Sequence, residues 1–257
     1  MANTVFENKV IEAKAKDLLT TAVNTRSLMS VDTELVESEG MTKTINVYTY
    51  TGEAEELAAG EANTNRGSIA YVGTDYTVKR VQQVFDYLDQ DFMKDNSIVD
   101  NMLKGANQVM VNKMTSDFTA ELAKASVAST FTTFGYEAIV DGISALNVED
   151  ESKLFVVIPN AWKAQLRKDP DYKAARMGEV VYNGQVGTVC GIPVIASKAL
   201  TDTAYVMTNE AIKLFMKKDV EVEQDRDVER KKNTIVLTTY YICALADATK
   251  IAKLSKA

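Results

Sequence analysis

The side chains able to do chemistry are unevenly supplied. The 257-residue chain contains no histidine, which removes Ser-His and Cys-His nucleophile pairs, histidine metal sites and the commonest general base together. Carboxylate and lysine chemistry remains. Asp86, Asp89, Asp91 and Asp95 lie close in sequence and could be read as a hard-metal site. Their spacing spreads the carboxylates around a helix or irregular turn, and the glycine and terminal glutamate of a calcium loop are missing. A solvated face is the expectation. Neither a dinucleotide-binding glycine fingerprint nor a phosphate loop occurs, and Gly178, Gly184, Gly187 and Gly191 are assigned to turns. Cys190 and Cys243 sit in the apolar stretches TVCGIPVI and YYICALA. They are too few for a disulfide framework and too far apart for zinc, so they are expected to be reduced core thiols of a cytosolic product. Met102, Met110 and Met114 read as core filler. No catalytic, cofactor-binding or metal-ligating residue is assigned.

Two charged groups suit contact better than catalysis. Glu53, Glu55, Glu56 and Glu61 share one loop with Arg66, either as a solvated tip or as a docking surface between copies. The run from Asp225 to Lys232 mixes both signs. Through Arg226 and Arg230 it fits salt bridges to neighbouring copies better than a nucleic-acid patch, and such exposed pairs are worth only ~0.2–1 kcal/mol each. The net charge is −7, from 29 basic and 36 acidic residues. Tight nucleic-acid binding needs a basic face, so any contact with DNA is expected to be weak and blind to sequence.

These groups need elements to hold them. With 46% hydrophobic and 25% charged residues the balance is globular, and the length supports one large or two small domains. No apolar run approaches the ~20 residues that span a bilayer, and the first residues lack a signal-peptide stretch. Residues 5–23 place Ile11, Ala15, Leu18, Leu19 and Ala22 at helical spacing, and Thr25–Gly40 reads as an extended arm. KTINVYTY (43–50) and SIAYVGTDYTV (68–78) alternate as strands and pair as a long hairpin. Its apolar content is thin, so it needs another molecule to lie on. Ser97 with Asp100 forms a capping box, opening a helix to Ala125 of about 44 Å. Its stripe is Val99, Leu103, Ala106, Met110, Met114, Phe118 and Leu122. Beyond it the pattern predicts a helix at 136–146, a strand at 154–158, a helix opened by Pro159 and Asn160, and a loop at 173–185. Strands follow at 188–196, broken at Gly-Ile-Pro, and at 204–207, then a helix EAIKLFMKK capped by Asn209. Val220 and Val222 alternate with Glu221 and Glu223, the apolar run 234–246 reads as a central strand, and a short strand covers 250–254.

This order of elements resembles the major capsid proteins of tailed bacteriophages, with the Hong Kong 97-type fold, an α+β architecture. The C-terminal half carries the likeness most clearly: GIPVIAS, then AYVMTNEAIKLF, the charged strand and TIVLTTYYICALA. The resemblance implies an N-terminal arm (1–38), an extended hairpin loop (39–80), a peripheral domain with a spine helix (81–130), an axial domain (131–217) and peripheral return strands (218–257). It implies a non-enzymatic subunit without cofactors that forms pentamers and hexamers, then an icosahedral virion shell around double-stranded DNA, assembled in the host cytoplasm. Scaffolding, portal and decoration proteins are the further partners implied. The chain begins at the arm, so a scaffold would be a separate protein or absent. Some relatives cross-link through a lysine on the extended loop; Gly52–Gly67 holds none, and Lys43 and Lys79 lie at its base. The alternatives are an encapsulin-like compartment shell and, from another class, a carboxylate- or lysine-based α/β enzyme.

Overall fold

The computed structural model describes residues 28–37, 39–95, 97–175 and 187–257. In chain order the elements are β1 (Ser30–Asp32), α1 (Glu34–Glu37), β2 (Thr42–Thr51), β3 (Ser68–Thr77), β4 (Lys79–Leu88), α2 (Asp89–Lys94), α3 (Ile98–Leu122), β5 (Val127–Phe131) and α4 (Tyr136–Leu146). There follow β6 (Leu154–Pro159), α5 (Lys163–Lys168), α6 (Pro170–Ala175), β7 (Thr188–Val189), β8 (Ile192–Ser197), β9 (Thr203–Thr208), β10 (Ile212–Asp227), β11 (Lys232–Leu245) and β12 (Ile251–Lys256).

Three sheets form. Among the described residues, one has four strands in the order β1-β10-β11-β4, one has six in the order β5-β12-β9-β6-β8-β7, and β2 and β3 form a two-stranded sheet. All six residues of β6 are buried, as a central strand covered on both faces requires. Its partner helix α4 lays Ala138, Ile139 and Ile143 against Val156, Val206 and Leu254. Gly142 permits that approach, because a Cβ there would stand 2.6 Å from Leu254 Cδ2.

Helix α3 joins the sheets. It is 25 residues long, about 37 Å at ~1.5 Å per residue. Leu103, Ala106, Met110 and Val111 pack on Val220, Val222, Ile235 and Leu237 of the four-stranded sheet. Met114, Phe118 and Leu122 pack instead with Phe155, Tyr205, Met207, Leu214 and Tyr241, between the two sheets. The apolar stripe read from spacing is thus the buried stripe. Its start is not the expected capping box: the Ser97 side chain makes no cap bond. Asp95 accepts the Ser97 N–H at 2.8 Å instead.

The clearest correction falls at EAIKLFMKK, which is strand rather than helix. Asn209 opens a turn, with Ala211 N–H donating to the Thr208 carbonyl at 3.2 Å. Residues from Ile212 onward pair antiparallel with β11, beginning Ile212↔Leu245. Ile212, Leu214, Phe215 and Met216 are buried, and that long-range ladder overrides a local helical period.

The stretch assigned to an extended arm also differs. Leu28 and Met29 are buried in the core between the sheets, β1 pairs parallel with Lys213–Phe215, and Leu35 is buried against Val78 and Phe215. Residues 28–37 therefore belong to the chain's own body. The helix read at 5–23 lies outside the described residues. Strand β4, absent from the sequence reading, pairs with β11 from Lys79↔Tyr241 to Leu88↔Lys232. The segment read as a loop from 173 begins inside α6, and residues 176–186, with Gly178 and Gly184, lie outside the described residues. The break in the strand 188–196 is a tight turn at Cys190 and Gly191, at φ 51° and 80°, so it falls at the glycine of the expected Gly-Ile-Pro break and takes in the residue before it.

Candidate assembly interface

Strands β2 and β3 form a ribbon in register from Thr42↔Thr77 to Thr51↔Ser68. Ten residues per strand give a length of about 33 Å at ~3.3 Å per residue. Residues directly opposite share a face. One face therefore carries Tyr48, Tyr71, Tyr50 and Ile69, and the other carries Val47 and Val72. All six are exposed, Tyr48 and Tyr71 to 68%. A two-stranded ribbon with apolar side chains bare on both faces has no core of its own.

Among the described residues, the ribbon is fixed at its root. Tyr76 Oη donates to Glu121 Oε2 at 3.4 Å and accepts the Leu245 N–H at 3.3 Å, tying β3 to α3 and β11. Lys124 pairs with Glu121 at 2.7 Å and lies 5.5 Å from the centre of the Tyr76 ring. Burial first, then the Glu121 charge, push the Tyr76 hydroxyl above its usual range. On β2, Lys43 pairs with Glu34 at 2.6 Å and stands 5.6 Å from the centre of the Phe215 ring. Ile45 and Tyr76 pack against Leu35, Val78, Phe215 and Ile242.

The structure gathers Glu53, Glu55, Glu56, Glu61 and Arg66 in the loop joining β2 to β3. Two of these carboxylates shape the loop: Glu55 accepts the Thr64 N–H at 3.0 Å, and Glu61 accepts the Ala58 N–H at 3.3 Å. Arg226 and Arg230 are elsewhere, Arg226 at the end of β10 and Arg230 in the turn between β10 and β11. Arg226 is held within the chain by Asp89 at 2.9 Å, while Arg230 lies 3.7 Å from Asp227 with its side chain 82% exposed. The exposed tyrosines and valines of the ribbon are not among the candidate residues read from the sequence, although the alternation of KTINVYTY already carries them.

The four-aspartate group does not converge. Asp86 accepts from Lys232 Nζ and Thr234 Oγ1, both at 2.7 Å, and the Lys232 bond leads in holding its carboxyl below the usual range. Asp89 takes Arg226 and the Asn233 amide, and Asp95 caps the entry to α3. Among the described residues, no three Asp, Glu or Cys side chains are placed to hold a metal ion. A cavity of about 50 Å³ is lined by Lys79, Asp117, Glu121, Tyr241 and Cys243. Its acids are committed, Asp117 to Lys113 and the Tyr241 hydroxyl, Glu121 to Lys124 and Tyr76. Of the two expected core thiols only Cys243 is buried. Cys190 is exposed at its turn, 3.1 Å from Tyr136 Oη.

Two sheets bridged by one long helix, with a ribbon thrown outward from their junction, define a shell subunit of the Hong Kong 97-type fold. The capsid of cyanophage P-SCSP1u shares it at a TM-score of 0.68 and 11% identity, over 90% of this chain and 86% of that one. A virus-like particle from Pyrococcus furiosus does so at 0.66 and 11%, over 96% and 98%. The chain belongs to the phage capsid protein family, whose model matches residues 71–254. It is also 24% identical over 249 residues to the major capsid protein of Staphylococcus phage phiMR11, spanning 90% of this chain and 86% of that one. Proteins of this family are structural parts of the virion. No helix among the described residues is long and apolar enough to cross a membrane.

Proposed function

We propose that the chain is the major head subunit of a tailed bacteriophage. Copies associate as pentamers and hexamers and close into an icosahedral shell around double-stranded DNA, which they contact weakly and without reading sequence. The observation that carries this reading is the ribbon: Tyr48, Tyr50, Ile69, Tyr71, Val47 and Val72 are all bare on the single chain. The surface they lack is supplied by another copy. Repeated heterologous contacts of this kind close by symmetry, and the net charge of −7 leaves packaged DNA free to slide and leave. The reading divides the chain into an N-terminal arm (1–38) that is anchored on the chain's own body through residues 28–37, an extended hairpin (39–80), a peripheral domain (81–130 with 218–257) and an axial domain (131–217). It places assembly in the host cytoplasm, with scaffolding, portal and decoration proteins as further partners, and it assigns no catalytic step and no cofactor.

Deleting Gly52–Gly67 tests it. Folded subunits that form no normal-sized shells are expected, whereas normal-sized shells would remove the hairpin from assembly. A compartment shell holding protein cargo is the second reading, and the phage capsid family match over residues 71–254 favours the first. The nucleic-acid content of purified particles separates the two.

A further inference from the structure

A cavity of about 800 Å³ opens where the end of β5, the first turn of α4 and the corner between α5 and α6 meet, and no ribbon residue lines it. Its size is that of a small-molecule site. Part of its wall is aromatic. Trp162 has Phe131 edge-on at 5.5 Å and Phe134 at 4.5 Å between ring centroids. The two phenylalanines are buried and the indole is half-buried, so two packed rings hold one accessible ring in place.

Charge selects the ligand. Glu137, Asp169, Asp171 and Asp202 line the cavity together with Lys168 and Lys256, leaving two negative charges unmatched. An anion would be drawn to the open N–H groups at the start of α4, but Asp169 already holds that place. Its Oδ2 accepts the Tyr136 N–H at 2.6 Å and its Oδ1 the Asp171 N–H at 3.0 Å. Glu137, Asp171 and Asp202 are uncommitted: among the described residues their carboxylates accept no hydrogen bond and join no ion pair. No three acids among the described residues are placed to hold a metal ion. A small hydrated ion also keeps its water shell and gains little from an indole, whereas an ammonium on a hydrocarbon body gains from the ring and the carboxylates together. The acidic loop of another copy's ribbon would be repelled here.

We propose that this cavity binds a small organic dication, its aliphatic body lying along Trp162 and its ammonium groups taken by Glu137, Asp171 and Asp202. The site belongs to a single chain, so it goes beyond the assembly reading and does not depend on it.

Trp162 is the only tryptophan of the chain, so its fluorescence reads the site directly. Adding 1,6-diaminohexane to the full-length, unassembled subunit is expected to move the emission saturably to shorter wavelength, with half-saturation on the order of 1 mM. Magnesium ion at the same concentration is expected to leave it in place. Glu137→Gln and Asp202→Asn, both at exposed positions, each raise the half-saturation about threefold. Glu229→Gln, which removes the same charge from the turn between β10 and β11, leaves it unchanged. No saturable shift, an equal shift with magnesium, or unaltered half-saturation in both cavity variants overturns the proposal. A shift produced by assembly alone, which then blocks the diamine, gives the cavity to a neighbouring copy and overturns it as well.

Discussion

Tyr48 and Tyr71 stand directly opposite each other across the ribbon, their ring centroids 6.4 Å apart, and the pair belongs to none of the cores formed by the described residues. Such a pair contributes ~0.2–1 kcal/mol to a sheet, far less than two buried tyrosines would. Replacing both by serine is expected to leave the urea midpoint of the subunit nearly unchanged and to raise the protein concentration at which light scattering detects shells. An unchanged assembly threshold would move the contact off this face.

Gly135 and Asp169 form a coupled pair. Asp169 Oδ2 accepts the Tyr136 N–H at 2.6 Å, satisfying an open donor at the start of α4 from 33 residues away. A Cβ on Gly135 would collide with the same oxygen. Asp169→Ala should cost ~1 kcal/mol, as the loss of an N-terminal cap does. Gly135→Ala should also destabilise, but less once Asp169 is alanine. Denaturant midpoints of the four proteins in that cycle check the coupling; strict additivity would contradict it.

The Asp86–Lys232 pair makes a pH-dependent contribution of known sign. The folded carboxyl lies below its free value near 3.8. Its stabilisation is therefore present above that value and lost as pH falls through the lower folded one. Asp86→Asn should be less stable than the parent at pH 7, with the gap closing below about pH 4. Thermal midpoints of both proteins at pH 7 and pH 3 measure it, and a gap that persists in acid would assign the difference to packing.

The two thiols should behave differently. Burial pushes Cys243 up to about 12, with the Asp117 charge adding to it, while Cys190 is exposed. Only the thiolate is nucleophilic. In the native protein at pH 8, a thiol reagent should modify Cys190 and leave Cys243 untouched until denaturant is added. Mass spectrometry of the labelled peptides reads this directly.

Much of this molecule was legible in its sequence because local and long-range preferences agree there. The α3 stripe from Leu103 to Leu122 and helix α4 have periods matching their burial, the continuous apolar run of β6 is buried throughout, and the alternation of the hairpin marks its two strands. The failures lie where tertiary structure overrules local pattern. The stretch 212–218 has a helical period and a plausible cap in Asn209, but β11 offers it a ladder that no local window contains. Leu28, Met29 and Leu35 are too few to announce a core segment, yet each fills a place prepared by distant residues such as Leu214 and Phe215. Among the candidate contact residues, the charged ones are conspicuous in sequence. Their partners, Asp89 for Arg226 and the Thr64 N–H for Glu55, become visible only once the chain is folded.

The most direct measurement is amide exchange across residues 42–51 and 68–77, on the free subunit and on assembled particles. Among the described residues, nothing beyond the hydrogen bonds of the ribbon itself protects its outer half, from Val47 to Thr51 and from Ser68 to Val72. Those amides should exchange rapidly in the free subunit and become strongly protected in the particle. Equal exchange in the two states would mean that the ribbon finds no partner, and that the contacts closing the shell are made elsewhere.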